Sequence, residues 1–211
     1  MANGGRIGAR NVLGVDGYGG VWSLREVADA LRKGIVITDG FDFFDTDTTA
    51  QYTQYADTNA TWAISGGELV ATGGDQAVFV RNGISYTDVA IEVDCNFADD
   101  GGMVLRFIDN NNYYLLTIID DSGSTPSQNF IIFKRVAGTF TALGFSSDIT
   151  WPRGISKTIK FRVSGTTLTA YVDGTQVIST TDSALAGPGG VGMRNKLAGK
   201  QSKYQAFRWG V

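Results

Sequence analysis

The chain is predicted to be an all-β protein, a sandwich of two antiparallel sheets, preceded by an arm and one short helix. Three observations carry that expectation. From Ile37 onward the apolar residues fall in short alternating stretches with no helix-length period. Turn signals separate them at close spacing: Gly66-Gly67, Gly73-Gly74, Gly101-Gly102, Ser164-Gly165 and Asp173-Gly174. Glycine is abundant (28 of 211 residues) and proline scarce (3), which suits many strands joined by tight turns.

The first 40 residues differ from the rest. Residues 1–20 are Gly-rich with little apolar periodicity, and read as an extended arm. Ser23-Leu24-Arg25-Glu26 then forms a capping box, in which Ser23 accepts from the Glu26 N–H and Glu26 reaches back. Leu24, Val27, Ala28 and Leu31 follow as a helical stripe, and Gly34 supplies the stop. A helix of barely three turns is marginal alone and needs a surface. Val21, Trp22, Leu24, Val27 and Leu31 are therefore the docking candidates, either onto the chain's own domain or into a larger assembly. The division is residues 1–40 as arm and helix, and 41–211 as sandwich.

Strands are expected at 61–65, 68–72, 76–81, 88–97, 103–108, 113–120, 129–136, 140–145, 156–164, 167–172, 175–180, 190–193 and 204–211. The strand at 88–97 alternates cleanly. Val89, Ile91, Val93 and Cys95 point inward, and Asp88, Glu92, Asp94 and Asn96 outward to solvent. The next two strands meet at Asp109-Asn110-Asn111-Asn112, residue types that tolerate left-handed backbone and cap their own turns. Asp173-Gly174, between Tyr171-Val172 and Val177-Ile178, is the strongest hairpin signal in the chain. The polar stretch 120–128 reads as an exposed hairpin tip.

The chain has no histidine, which excludes Ser-His-Asp and Cys-His chemistry and every His-ligated metal site. Its one cysteine, Cys95, forms no intrachain disulfide and reads as a buried structural thiol. A net charge of −3 with interspersed signs shows no basic stripe for nucleic acid, and no apolar run reaches membrane-spanning length. The first residues lack the apolar core of a secretory signal, so retention in a cytoplasm until release is expected.

The order of elements carries a resemblance. Phe41-Asp42-Phe43-Phe44 comes first, followed by Trp62 with Gly66-Gly67-Glu68-Leu69 and by Asp88-Val89-Ala90-Ile91-Glu92-Val93. The Gly102…Arg106…Asn112-Tyr113-Tyr114 hairpin is next. Ile159-Lys160-Phe161-Arg162-Val163, Thr169-Ala170-Tyr171-Val172-Asp173-Gly174, Gly190-Val191-Gly192 and Phe207 complete the series. From about Gly40 to the end this resembles the concanavalin A-like, or laminin G-like, jelly roll, which implies two curved sheets of roughly six or seven strands. Separately, Gly20-Val21-Trp22-Ser23-Leu24-Arg25-Glu26-Val27 resembles a short segment of bacteriophage virion proteins, where it precedes a helix. That resemblance implies a virion structural protein (head decoration, fibre or tail-associated), assembled in the host cytoplasm. Other virion proteins would be its partners, and a homotrimer the expected oligomer.

The jelly-roll resemblance also implies three chemistries. Laminarinase-type members use Glu-x-Asp-x-(x)-Glu, whose two catalytic carboxyl groups lie roughly 5–5.5 Å apart. Here Glu92 and Asp94 are present, but Asn96 stands where the second Glu belongs and cannot cycle a proton, so no catalytic residue is assigned. Sugar binding without turnover needs aromatics beside planar polar groups. Arg106, Asn112, Tyr114 and Trp151 are the candidates, for a host surface glycan or as a soluble lectin. Packing is the preferred role for Trp62 and Trp151, and Arg106 could instead pair with Glu92 or Asp94. Finally, the fold often holds a structural calcium, and Asp45/Asp47, Asp99-Asp100 and Asp120-Asp121 are clusters of the hard-oxygen type. None has EF-hand spacing, and no cofactor is assigned.

Overall fold

A computed structural model describes residues 39–56, 59–98, 101–121, 127–151, 155–196 and 201–210. The expected arm and helix, and with them Val21, Trp22, Leu24, Val27 and Leu31, lie outside the described residues, as do Asp99-Asp100 and the tip at 122–126. The described residues form strands and a single 3-10 turn, Thr49–Gln51. The strands are β1 (Gly40–Asp42), β2 (Tyr52–Tyr55), β3 (Thr61–Ser65), β4 (Glu68–Thr72), β5 (Ala77–Arg81), β6 (Val89–Ala98), β7 (Gly102–Asp109) and β8 (Asn112–Asp121). They continue with β9 (Ser127–Val136), β10 (Thr139–Phe145), β11 (Ile149–Thr150), β12 (Lys157–Ser164), β13 (Thr167–Val172), β14 (Thr175–Thr181), β15 (Gly190–Asn195) and β16 (Gln201–Gly210).

Two antiparallel sheets result. Sheet A runs β14-β13-β12-β6-β16-β4-β3, with β1 also paired to β16; sheet B runs β10-β9-β8-β7-β15-β5-β2, with β11 paired to β9. Each holds eight strands, more than the six or seven implied above, because β1 and β11 are short additions to β16 and β9. The expected alternation sets the core. Val89, Ile91, Val93 and Cys95 of β6 face inward with Ile159, Phe161 and Phe207 of sheet A, against Met103, Leu105, Tyr114, Leu116 and Met193 of sheet B. Burial pushes the Cys95 thiol pKa far upward, as a structural thiol requires.

Stacked rings close one side of the sandwich. Trp62 of β3 lies parallel to Phe79 of β5 at 4.7 Å, and Phe79 stacks on Tyr52 of β2 at 4.8 Å. On the other side the Thr180 hydroxyl of β14 donates to the Leu143 carbonyl of β10 at 3.0 Å. Asp173 and Gly174 both have positive φ (49° and 81°), the geometry an Asp-Gly hairpin requires.

The Asp109–Asn112 hairpin forms by another route. Asn110 and Asn111 are not among the residues with positive φ; the Asp109 carboxylate instead accepts from the Asn111 N–H at 2.7 Å and from the Asn112 side-chain amide. The strain sits upstream. Register slips between Leu105 and Asp109, so that Arg106, Phe107 and Ile108 of β7 oppose only Tyr113 of β8, and Arg106 takes φ 46°. This bulge re-aims three side chains, and the candidate site is built on it.

Candidate functional site

Beside the bulge lies a cavity of about 370 Å³. Tyr55 and Val80 come from β2 and β5, Arg81 ends β5, and residues 82–85 form the loop after it. Phe107 and Ile108 come from the bulge, and residues 188–190 from the approach to β15. The Tyr55 and Phe107 rings meet at 4.9 Å with a 49° tilt, and Phe107 rests on Tyr113 at 5.5 Å. Tyr55 is 37% exposed and Ile108 54%, so two apolar surfaces open to solvent on a rigid support.

The rim is polar. The Arg81 guanidinium lies over the rings of Tyr52 and Trp209, each at 5.5 Å, and donates to the Gln51 carbonyl at 2.8 Å. Its Nε is buried without a hydrogen-bond partner. Asn82 is held through its backbone N–H to the Gln51 carbonyl (2.9 Å) and accepts from the Thr53 hydroxyl (2.7 Å). Across the cavity, Tyr86 and Gly189 exchange two backbone hydrogen bonds of 2.9 and 3.0 Å. Gly189 cannot be larger, because an added Cβ would collide with the Arg106 backbone. The Tyr86 hydroxyl is pushed up to about 12 by burial and by the Asp39 carboxylate beside it.

Arg106 lies beneath this wall, not on it. It is 1% exposed and donates to the carbonyls of Thr87 (2.6 Å), Leu185 (2.7 Å) and Gly165 (2.7 Å), and to Asp88 at 3.4 Å. It gathers three loops around the bulge. The expected pairing with Glu92 or Asp94 is not formed, because β7 belongs to sheet B and those carboxylates to sheet A. Arg208 of the adjacent β16 meets them, at 3.4 Å to Glu92 and 2.6 Å to Asp94. The Thr158 hydroxyl also donates to Asp94, which is only 7% exposed where a solvated position was expected.

Tyr114 and Trp151 are also interior. The Tyr114 hydroxyl donates to Asp182 at 2.8 Å and accepts from the Leu185 N–H; burial, with the Asp182 charge, pushes it up to about 12. Trp151 is parallel to Phe130 at 6.4 Å and donates to the Ile155 carbonyl at 2.6 Å. Asn112 braces the hairpin turn, accepting from the Ala137 N–H at 3.1 Å. These candidates therefore do not converge on one exposed surface: three are buried supports and one is a turn brace. The residues that sequence reasoning passed over are Tyr55, Phe107, Ile108, Arg81 and Asn82. The signal that was there is Phe107-Ile108, two consecutive bulky apolar residues after Arg106, which break strict alternation as a bulge does.

Chemically, the cavity offers apolar surface, a guanidinium, an amide and hydroxyls; among the described residues no carboxylate, amine or thiol lines it. Among the described residues no three His, Cys, Asp or Glu gather as a metal-holding group. Asp47 serves a turn: the Thr49 hydroxyl (2.6 Å) and N–H (3.0 Å) lower its pKa below the usual 3.8.

No protein family matches the sequence, and no curated protein matches it either. Solved structures do. Carbohydrate binding module CBM66 from Bacillus subtilis superposes with a TM-score of 0.64 at 18% identity, over 76% of this chain and 96% of that one. A Bacillus subtilis protein of unknown function with a galectin-like fold gives 0.60 at 11% identity, over 81% and 94%. A xylan β-1,4-xylosidase from Bacillus halodurans gives 0.58 at 16% identity, over 84% of this chain but only 40% of that one. At such identities the likeness shows a shared jelly-roll, galectin-like sandwich.

Proposed function

We propose that this domain binds carbohydrate without turning it over, with the ligand seated against Tyr55, Phe107 and Ile108. The observation that carries this reading is exposed Tyr55, seated on the buried Phe107 ring beside exposed Ile108 in a cavity with a polar rim, on a sandwich similar to a carbohydrate-binding module. Sugars present C–H faces that lie on aromatic rings and hydroxyls that pair with planar groups, here Arg81 and Asn82. The rim lacks a proton donor and acceptor pair among the described residues, and Glu92 and Asp94 are held by Arg208 on the other sheet, so binding is better supported than hydrolysis.

A virion role draws support only from the resemblance of residues 20–27. Nothing among the described residues adds to it, and the same holds for a trimer. Glycan binding on its own is the stronger reading.

The test is a glycan array followed by calorimetry on any hit. Tyr55→Ala should weaken binding by about 10- to 100-fold, the loss of ~1.5–3 kcal/mol of aromatic burial, with the melting transition little changed. Full retention of affinity in Tyr55→Ala and Phe107→Ala would overturn the assignment.

A further inference from the structure

Sandwiches bury their inner faces and turn polar residues outward. Sheet B does not follow this. Its register aligns Thr53, Val80, Gly192, Val104, Leu115 and Phe133 in one outward row across six strands. Val78, Val80, Val104, Phe107, Tyr113 and Leu115 form a second apolar cluster, separate from the core. Val78, Val104 and Tyr113 have no exposed surface, and Leu115 has 1%.

Every residue of this cluster belongs to sheet B, including the flanking Phe133 and Phe140. The Arg135 guanidinium of the same face lies over the Tyr113 and Phe140 rings, but the short side chains of Val78, Val104 and Leu115 stand side by side and close only each other's flanks. Gly192, in the middle of the row, contributes no side chain between Val80 and Val104. A roof from outside the described residues is required, and residues 1–38 are the one long stretch of chain outside them.

Where the described residues begin bears on which part serves. Asp39 lies against the Tyr86 hydroxyl, and Tyr86 is bonded to Gly189 on the rim of this face. The eight residue-to-residue steps from Leu31 to Asp39 span up to about 26 Å when extended. From β5 to β9 the face is four inter-strand spacings wide, about 19 Å. Leu31 can therefore reach across the face, and Val27, Leu24, Trp22 and Val21 lie on a longer tether still.

We infer that the segment carrying Trp22 and Leu24 covers the outer face of sheet B of the same chain, packed on Val78, Val104 and Leu115. The segment is then an intramolecular third layer. It closes the middle of the face and leaves the Tyr55–Phe107 cavity at its edge as the open site.

Two measurements on the full chain test this. A thiol introduced by Val104→Cys should react slowly with a maleimide, and markedly faster when Trp22→Asp and Leu24→Asp are added, while Cys95 stays unreactive. Cys95 is the fold reporter, since it labels only if the sandwich opens. An unchanged rate at position 104 with Cys95 protected would overturn the inference. Second, a photoreactive phenylalanine analogue in place of Trp22 should crosslink to peptides carrying Val78, Val104 or Leu115 within one chain. Adducts to sheet A, adducts joining two chains, or none on sheet B would overturn it, whether or not the acidic variants fold.

Discussion

The two outer faces of this sandwich obey different rules. On sheet A the strand register sets Tyr171, Lys160, Glu92 and Arg208 side by side, and Arg208 pairs with Glu92. On sheet B the equivalent positions are Val80, Val104 and Leu115 around a glycine. Alternation alone assigns both faces to solvent. The difference teaches that an outward position is solvated only when its residues are polar. Where they are apolar, the physics demands a cover.

The sharpest way to break this comparison is to place a charge on each face. Val104→Asp should destabilise by about 3–5 kcal/mol, the cost of an unpaired buried charge. Lys160→Asp on sheet A should cost far less, and equal effects in denaturant melts would erase the distinction. Next in size is Arg208→Met. It removes the Arg208 guanidinium from Asp94 and Glu92, at about 2–4 kcal/mol, the lower part reflecting the remaining wetness of Glu92. If that variant melts with wild type, the ion pairs on sheet A are ornamental.

A pH experiment gives a smaller effect. Burial would raise the pKa of Asp182, but the Lys134 ammonium at 2.5 Å, the Ala184 N–H and the Tyr114 hydroxyl outweigh it, and the group lies below the usual 3.8. A lowered folded value means the carboxylate stabilises fully above its unfolded pKa, and this is lost as pH falls through the folded one. Asp182→Asn should therefore cost about 1 kcal/mol near neutrality, with the gap to wild type closing in the acid range below the usual carboxylate pKa. A gap that persists at acid pH would assign the loss to shape instead of charge. Smallest of all, Lys157→Ala removes a half-wet pair with Asp173 (2.7 Å) and should change stability by less than about 0.5 kcal/mol.

Much of the architecture is legible in the sequence because hydrophobic period and turn chemistry are local. Strands 61–65, 68–72 and 167–172 coincide with β3, β4 and β13 to the residue. β2 was not legible: Tyr52-Thr53-Gln54-Tyr55 reads as polar and becomes a strand by pairing with β5. The sequence offers Arg106 as a sugar-binding candidate or a partner of Glu92 or Asp94, and the structure buries it instead at 1% exposure. Its interior position follows from a three-residue bulge that no composition rule reveals. The cavity was illegible because its walls come from four separate segments that only the sheet register brings together.

The pairing of β1 with β16 has a mechanical corollary. The strands are antiparallel with Gly40 opposite Trp209 and Asp42 opposite Phe207, so the leading end of the first strand lies beside the trailing end of the last. Tension applied through residues 39 and 210 would load these ladder bonds one after another, starting at Gly40, instead of all together. The first strand would peel like a zipper at low force and hand the load to the longer β6–β16 ladder, where eight register partners hold the last strand in place.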